Sequence, residues 1–254
     1  MNRRVWSFTL LCFLSIIPRV DAGDLRERYD EALGKYREAR YLEAITLFES
    51  ICSEGHTSFE LYYNLGNAYY KNGDLGKGIL NFERALRLEP RNPDAMHNLN
   101  VVRARTRDRV EPMPLIFFVR WWNDLKQSYK PTVFLIWSTV LFWCLAIAVF
   151  VFFGFKARIT RRLALLSGIV FAVAFTISFL LYQFRITDLN EHRFAVVMES
   201  EVPVLSAPDE SAIESFVIHE GLTVEVLDSD GTLMNIRLAD GKSGWVPASA
   251  VERI

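Results

Sequence analysis

The stretch Tyr62–Pro90 most constrains the fold, because it has the pattern of two short antiparallel helices. Apolar residues in its first half recur at spacings of three and four, which places them on one helical face: Tyr62, Leu65 and Tyr69. Small residues let the two backbones approach closely: Gly66, Gly78 and Ala85. Between the halves, Asn72-Gly73-Asp74 breaks the pattern and predicts a turn.

These residues resemble a tetratricopeptide repeat, a helical hairpin of about 34 residues that stacks on its neighbours. The resemblance rests on Tyr62-Tyr63-Asn64-Leu65-Gly66-Asn67-Ala68-Tyr69 and on Phe82, Ala85 and Pro90. Gly78 stands where the family usually has Ala, which costs about 0.5–1 kcal/mol of helix propensity. The resemblance implies protein binding and not catalysis, and an ordinary helical hairpin is the alternative.

We expect the helical domain to span residues 23–110, with repeats at about 25–58 and 59–92 and a capping helix at 93–109. In the looser first repeat, Ala32 takes the small position. The capping helix is expected to continue from Pro93 through Arg107 without a partner helix. Two repeats and a cap fall below the roughly three repeats of a stable stack, so we expect support from a partner or the membrane.

Residues 1–22 have the features of a secretory signal peptide. Arg3 and Arg4 precede the apolar run Val5–Ile17, and Val20-Asp21-Ala22 offers small residues at the two positions that a signal peptidase recognises. We expect cleavage after Ala22. If the segment stays as an anchor, the repeats are still exported.

Two apolar segments, residues 132–155 and 163–184, are long enough to cross a membrane. The loop between them, residues 156–162, carries four cations and no acid, which predicts a cytoplasmic position. Both ends of the hairpin would then lie on the side of the membrane away from the cytoplasm. A pair of buried core helices is the alternative.

Residues 111–131 are aromatic and amphipathic. This pattern favours a position at the outer interface of the membrane that the hairpin crosses, over a bare linker helix.

Residues 191–254 alternate apolar and polar positions between turn clusters, which predicts a small β-barrel. Six strands are expected: Arg193–Met198, Val202–Leu205, Ser215–His219, Thr223–Leu227, Leu233–Arg237 and Gly244–Val246. The segments Glu220–Leu227 and Asn235–Pro247 resemble a bacterial SH3 domain. Leu233-Met234 stands where that family often has Trp, so the aromatic platform that grips ligands is thinner.

The sequence lacks a catalytic constellation. Three cysteines, Cys12, Cys52 and Cys144, lie in separate segments, and the four histidines have no metal-ligand spacing. Asp228 and Asp230 have the pattern of a hairpin turn. We therefore expect no enzyme activity, cofactor or metal, and an exported position excludes nucleic acid as a partner.

The first helix of each repeat should line the binding groove. Its outward residues, with two from the capping helix, are Tyr63, Asn64, Asn67, Tyr70, Lys71, His97 and Asn98. Asn and Tyr side chains there can bind an extended peptide or a helix. A clamp for a terminal carboxylate is not expected, because Leu33, Asp94 and Asn98 occupy positions where such a clamp would be polar or basic.

The fold class is thus multidomain, α then β: a tetratricopeptide α-solenoid, a two-helix transmembrane hairpin and an SH3-like β-barrel. This order resembles the BatE family of the bacterial aerotolerance operon. That resemblance implies a bacterial inner-membrane protein with periplasmic modules, partners with von Willebrand factor A domains, and a role in aerotolerance or envelope stress. It favours an interaction scaffold. The alternative is an envelope tether or stress sensor that binds peptidoglycan through the SH3-like domain.

Overall fold

A computed structural model describes residues 22–111, 113–114, 116–127, 129–190, 193–209 and 212–254. Apart from Ala22, the predicted signal peptide lies outside these residues. Contacts divide the chain into two compact units, with the boundary between His56 and Thr57.

The first unit contains a hairpin of two helices, α1 (Ala22–Arg37) and α2 (Tyr41–Ser53). Its small core has Ala32 and Phe48 fully buried, and the Tyr29 ring meets Phe48 edge-on at 5.7 Å between centroids. Arg28 donates two hydrogen bonds to the Glu54 carboxylate, at 2.5 and 2.7 Å. The assignment of this hairpin as a degenerate repeat stays a prediction.

The second unit begins with a tighter hairpin, α3 (Phe59–Asn72) and α4 (Leu75–Leu88). The Ser58 hydroxyl caps α3 by accepting from the Leu61 N–H at 3.1 Å. Gly73 ends α3 at φ +100°, a left-handed conformation that favours glycine, so the predicted turn is confirmed.

Gly66 of α3 and Gly78 of α4 lie where the two helices meet, but the space around them differs. A Cβ on Gly66 would lie 3.0–3.2 Å from the Phe82 ring, which is fully buried. A Cβ on Gly78 would lie 3.5 Å from the Gly66 carbonyl oxygen, an ordinary van der Waals contact. Only Gly66 is therefore required for the close helix approach.

Helix α5 (Pro93–Arg103) packs on α4, with Leu99 and Val102 buried. Its assignment as a capping helix stays a prediction. The helix ends four residues before Arg107. Its end is set by turn bonds, since both the amide and the hydroxyl of Thr106 donate to the Arg103 carbonyl, at 3.2 and 2.8 Å.

Three further helices follow: α6 (Phe117–Gln127), α7 (Pro131–Gly154) and α8 (Arg158–Asn190). By length and composition, α7 and α8 could each cross a membrane. Only 17 % and 11 % of their apolar windows are buried, which disfavours a pair of core helices. The loop between α7 and α8 is shorter than predicted, because Arg158–Arg162 already belong to α8. Arginine is a good helix former.

Seven strands form one antiparallel sheet with the order β3-β2-β6-β5-β4-β1-β7. The strands are β1 (Phe194–Val197), β2 (Val202–Leu205), β3 (Glu214–Ile218), β4 (Thr223–Ser229), β5 (Leu233–Arg237), β6 (Ser243–Pro247) and β7 (Val251–Arg253). The first six lie at or close to the predicted positions, whereas β7 was not expected. Side chains from both ends of the sheet share one core, including Val204, Ile218 and Val251.

The predicted closed barrel is wrong, because β3 and β7 are not paired with each other in the described sheet. Instead, side chains of α4 donate hydrogen bonds to the main chain at the end of β7. Arg84 donates to the Arg253 carbonyl at 2.8 Å, and Arg87 donates to the Ile254 carbonyl. These arginines satisfy main-chain oxygens at and just after the end of β7.

The sheet packs against the outer face of α4. Ile79 and Leu80 share a buried cluster with Val196 of β1 and with Ile254. Gly221 has φ +84°, and a Cβ there would lie 2.9 Å from the Ile79 Cδ1 atom. The helical hairpin and the sheet are therefore joined in one core, although α6, α7 and α8 separate them in sequence.

The contrast between the glycines gives a stability prediction. Gly78→Ala should stabilise α4 by about 0.5–1 kcal/mol, because alanine has the higher helix propensity and its methyl group fits. Gly66→Ala should destabilise the hairpin by about 1–3 kcal/mol, because the Phe82 ring has no space to move. Amide hydrogen exchange in α3 and α4 measures both effects, and equal effects of the same sign would contradict this packing.

Candidate protein-binding site

Helices α3 and α5 bring three of the predicted groove residues together. The Asn98 side-chain amide donates to the Tyr63 hydroxyl at 3.1 Å and to the Asn67 side-chain oxygen at 2.8 Å. All three side chains are half-buried. This cluster, called the Asn–Tyr cluster below, fixes α5 against α3.

The Tyr63 ring is held between two other rings. Phe59 stacks on it, with centroids 5.6 Å apart and an interplanar angle of 14°. The Phe82 ring of α4 contacts the Tyr63 ring at a tilt, and the centroids of these two rings are 5.9 Å apart. Aromatic contacts of this kind add about 0.5–1.5 kcal/mol each, so the hydroxyl of Tyr63 has a fixed position.

The other predicted groove residues have different surroundings. The Arg105 guanidinium lies 5.0 Å from the centroid of the Tyr70 ring, a cation–π contact that the sequence did not suggest. Lys71 and His97 are exposed, and Asn64 is half-buried. The structure thus places a fixed polar cluster beside two exposed basic residues.

The Asn–Tyr cluster keeps hydrogen-bonding capacity after its internal bonds are made. Among the residues that the structure describes, the N–H groups of the Asn67 side-chain amide and the side-chain oxygen of Asn98 have no partner. A peptide unit presents one N–H and one C=O, which match this acceptor and these donors. The chemistry available here is reversible peptide recognition.

Contacts between α4 and the strand region were missed from the sequence. The Glu220 carboxylate accepts from the Gly76 N–H at 2.7 Å, and Glu252 accepts from Arg84 at 3.0 Å. A Cβ on Gly76 would lie 3.0 Å from the Val197 carbonyl oxygen. The available signal was Gly76 itself, a glycine inside α4 for which the predicted contact between α3 and α4 gave no reason.

The end of α4 contacts the apolar helices. Arg185 of α8 is buried, and it donates to the Arg87 carbonyl at 3.5 Å. Lys130, just before α7, forms a 2.7 Å ion pair with Glu89 and lowers the pKa of that carboxyl group. The helical hairpin is thus attached directly to the start of α7 and the end of α8.

One ion pair joins α4, α5 and the sheet. Arg103 of α5 pairs with Glu83 of α4, and it donates to the Thr223 hydroxyl of β4 at 3.3 Å. Burial raises the pKa of the Glu83 carboxyl group, and the charge of Arg103 opposes that rise.

The acidic pair in the sheet forms the predicted turn. The Asp230 carboxylate accepts from the Thr232 and Leu233 amides at 2.9 and 2.7 Å, and these bonds lower its pKa. The Asp228 carboxylate accepts a hydrogen bond from the Ser229 N–H. Among the residues that the structure describes, no cluster of His, Cys, Asp and Glu could hold a metal ion.

The family model of the tetratricopeptide repeat matches residues 59–92. The predicted repeat over α3 and α4 is therefore confirmed, and this repeat is a non-catalytic protein-interaction module. A comparison with curated proteins gives no match. The resemblances to a bacterial SH3 domain and to the BatE family stay predictions.

The Asn–Tyr cluster yields a coupling prediction. Asn67→Ala and Asn98→Ala should each destabilise the contact between α3 and α5 by about 0.5–1.5 kcal/mol, because each removes the same hydrogen bond. The double variant should then cost less than the sum of the two. Hydrogen exchange of the α5 amides measures this, and His97→Ala, at an exposed neighbour, is the matched control. Additive losses would show that the two side chains are not coupled.

Proposed function

We propose that this protein is a membrane-anchored scaffold that holds a segment of another protein along α3 and α5. The observation that carries the proposal is the Asn–Tyr cluster, which lies on a tetratricopeptide repeat and keeps an unused donor and acceptor. The exposed side chains of Lys71 and His97 widen the contact surface. No catalytic role is assigned to the chain.

The packing of the chain supports a single orientation in the membrane. Residues before α7 and after α8 share one core, so both ends of the apolar hairpin must lie on the same side of any membrane that it crosses. The turn between α7 and α8 then lies on the other side together with the start of α8, and this region is basic: Lys156, Arg158, Arg161 and Arg162. The positive-inside rule places these cations in the cytoplasm.

This orientation puts the repeat and the sheet in the periplasm, anchored in the inner membrane of a bacterium. Helix α6 would lie in the outer interface of that membrane. It exposes Phe117, Phe118 and Trp121, and its Trp122 ring meets Phe184 of α8 edge-on at 6.5 Å between centroids. Aromatic residues favour that depth.

The resemblance to the BatE family supports a class of partner. We propose membrane proteins with von Willebrand factor A domains, assembled in a complex linked to aerotolerance or envelope stress. The second candidate partner, peptidoglycan, would bind through the sheet.

Photocrosslinking in living cells tests the scaffold. A photoreactive amino acid at position 71 or 97 should capture a membrane protein, because both side chains are exposed beside the Asn–Tyr cluster. Position 63 is avoided because the Tyr63 ring and hydroxyl have structural contacts. The matched control is position 199 between β1 and β2, where Glu199 is exposed.

Mass spectrometry of the captured proteins decides between the hypotheses. Membrane proteins with von Willebrand factor A domains, captured from positions 71 and 97 but not 199, are the expected result. Recovery of cell-wall enzymes would favour the envelope tether. Capture of the same proteins from all three positions would contradict specific binding along α3 and α5.

Cysteine labelling tests the orientation. In a chain whose three cysteines are replaced by serine, His97→Cys and Glu199→Cys should react with a membrane-impermeant thiol reagent added from the periplasmic side. Arg158→Cys should react only after lysis, because the basic turn is cytoplasmic. Labelling of positions 97 and 199 from opposite sides would contradict the shared core.

A further inference from the structure

A cavity of about 480 Å³ lies between the chain that follows α5 and one end of the sheet. Residues 103–110 form parts of one wall, and residues of β1, β4 and β5 with the chain beside them form the other. Because both walls are needed, neither the helical repeat nor the sheet forms this cavity alone.

One positive group in the wall of the cavity, Arg109, has no charged partner among the described residues. The other charged side chains of the wall have partners within the protein: Arg103 pairs with Glu83, Arg237 pairs with Glu225, and Asp108 bonds the His219 ring. Arg109 is exposed, and within the described part of the chain it has no hydrogen bond or ion pair. A negative group entering the cavity would therefore be attracted without breaking an existing pair.

Much of the remaining lining is apolar. Val110 and Leu222 pack against the core of the sheet, and Leu238 is part of that core. Phe194 is different, because 51 % of this large apolar residue is exposed although it sits in a regular strand. An apolar group placed beside Phe194 would cover surface that is now in water.

We propose that this cavity is a binding site for a small amphipathic anion. Its carboxylate or phosphate group would pair with Arg109, and its apolar group would lie against Phe194 and Val110. The volume lies within the roughly 300–1,000 Å³ of small-molecule sites, and a concave site favours a small molecule over a flat protein surface. This site is separate from the Asn–Tyr cluster and does not depend on the scaffold.

Two probes that differ in charge test the proposal. Fluorine NMR relaxation of para-fluorophenylacetate and para-fluorophenethylamine is measured with the whole chain in lipid nanodiscs, against empty nanodiscs. The acetate should bind more tightly than the amine. Arg109→Leu should weaken acetate binding by up to about fivefold, the range expected for an exposed ion pair. Arg109→Glu should reverse the preference.

The matched control is Arg107→Leu, since Arg107 is exposed two residues away and does not line the cavity. It should leave both affinities unchanged. Phe194→Ser should weaken both probes, because it removes the apolar wall that they share. Equal binding of the two probes, no binding of either, or equal responses to the Arg107 and Arg109 variants would overturn the proposal.

Discussion

The structure of the second unit depends on α4, which is held at its start by the turn between β3 and β4 and near its end by α8. Glu220 accepts from the Gly76 N–H at the start of the helix, and Arg185 donates to the Arg87 carbonyl near its end. A carboxylate at the N-terminus and a guanidinium at the C-terminus both complement the helix dipole. The sheet and the apolar helices therefore converge on one helix of the repeat.

This arrangement stabilises the repeat formed by α3 and α4. A solenoid needs polar caps on its end repeats, because each repeat buries its apolar face only against a neighbour. Here the sheet occupies that place: Ile79, on the face of α4 turned towards Gly221, is fully buried. The sheet therefore gives this repeat support from within the chain.

The sequence predicted those features that depend on nearby residues. Spacing within Tyr62–Pro90 predicted the hairpin and its glycine turn, and alternation predicted six of the seven strands. The contact of α4 with the sheet escaped prediction, because Gly76 and Glu220 are 144 positions apart and share no local pattern. The end of α5 was missed for a related reason. Arg105 and Arg107 are good helix formers, but the turn at Thr106, which lies against Gly221, outweighs their propensity.

The contact between α4 and β1 also sets an order of assembly. Phe194 follows Leu88 by roughly 100 residues, which a ribosome adds in about 5–20 s. During that time both apolar helices are synthesised, and the face of α4 that carries Ile79 has no strand to cover it. A nascent chain therefore shows this face to chaperones and proteases until the sheet forms, so damage to the sheet would reduce the amount of the helical repeat in the cell as well.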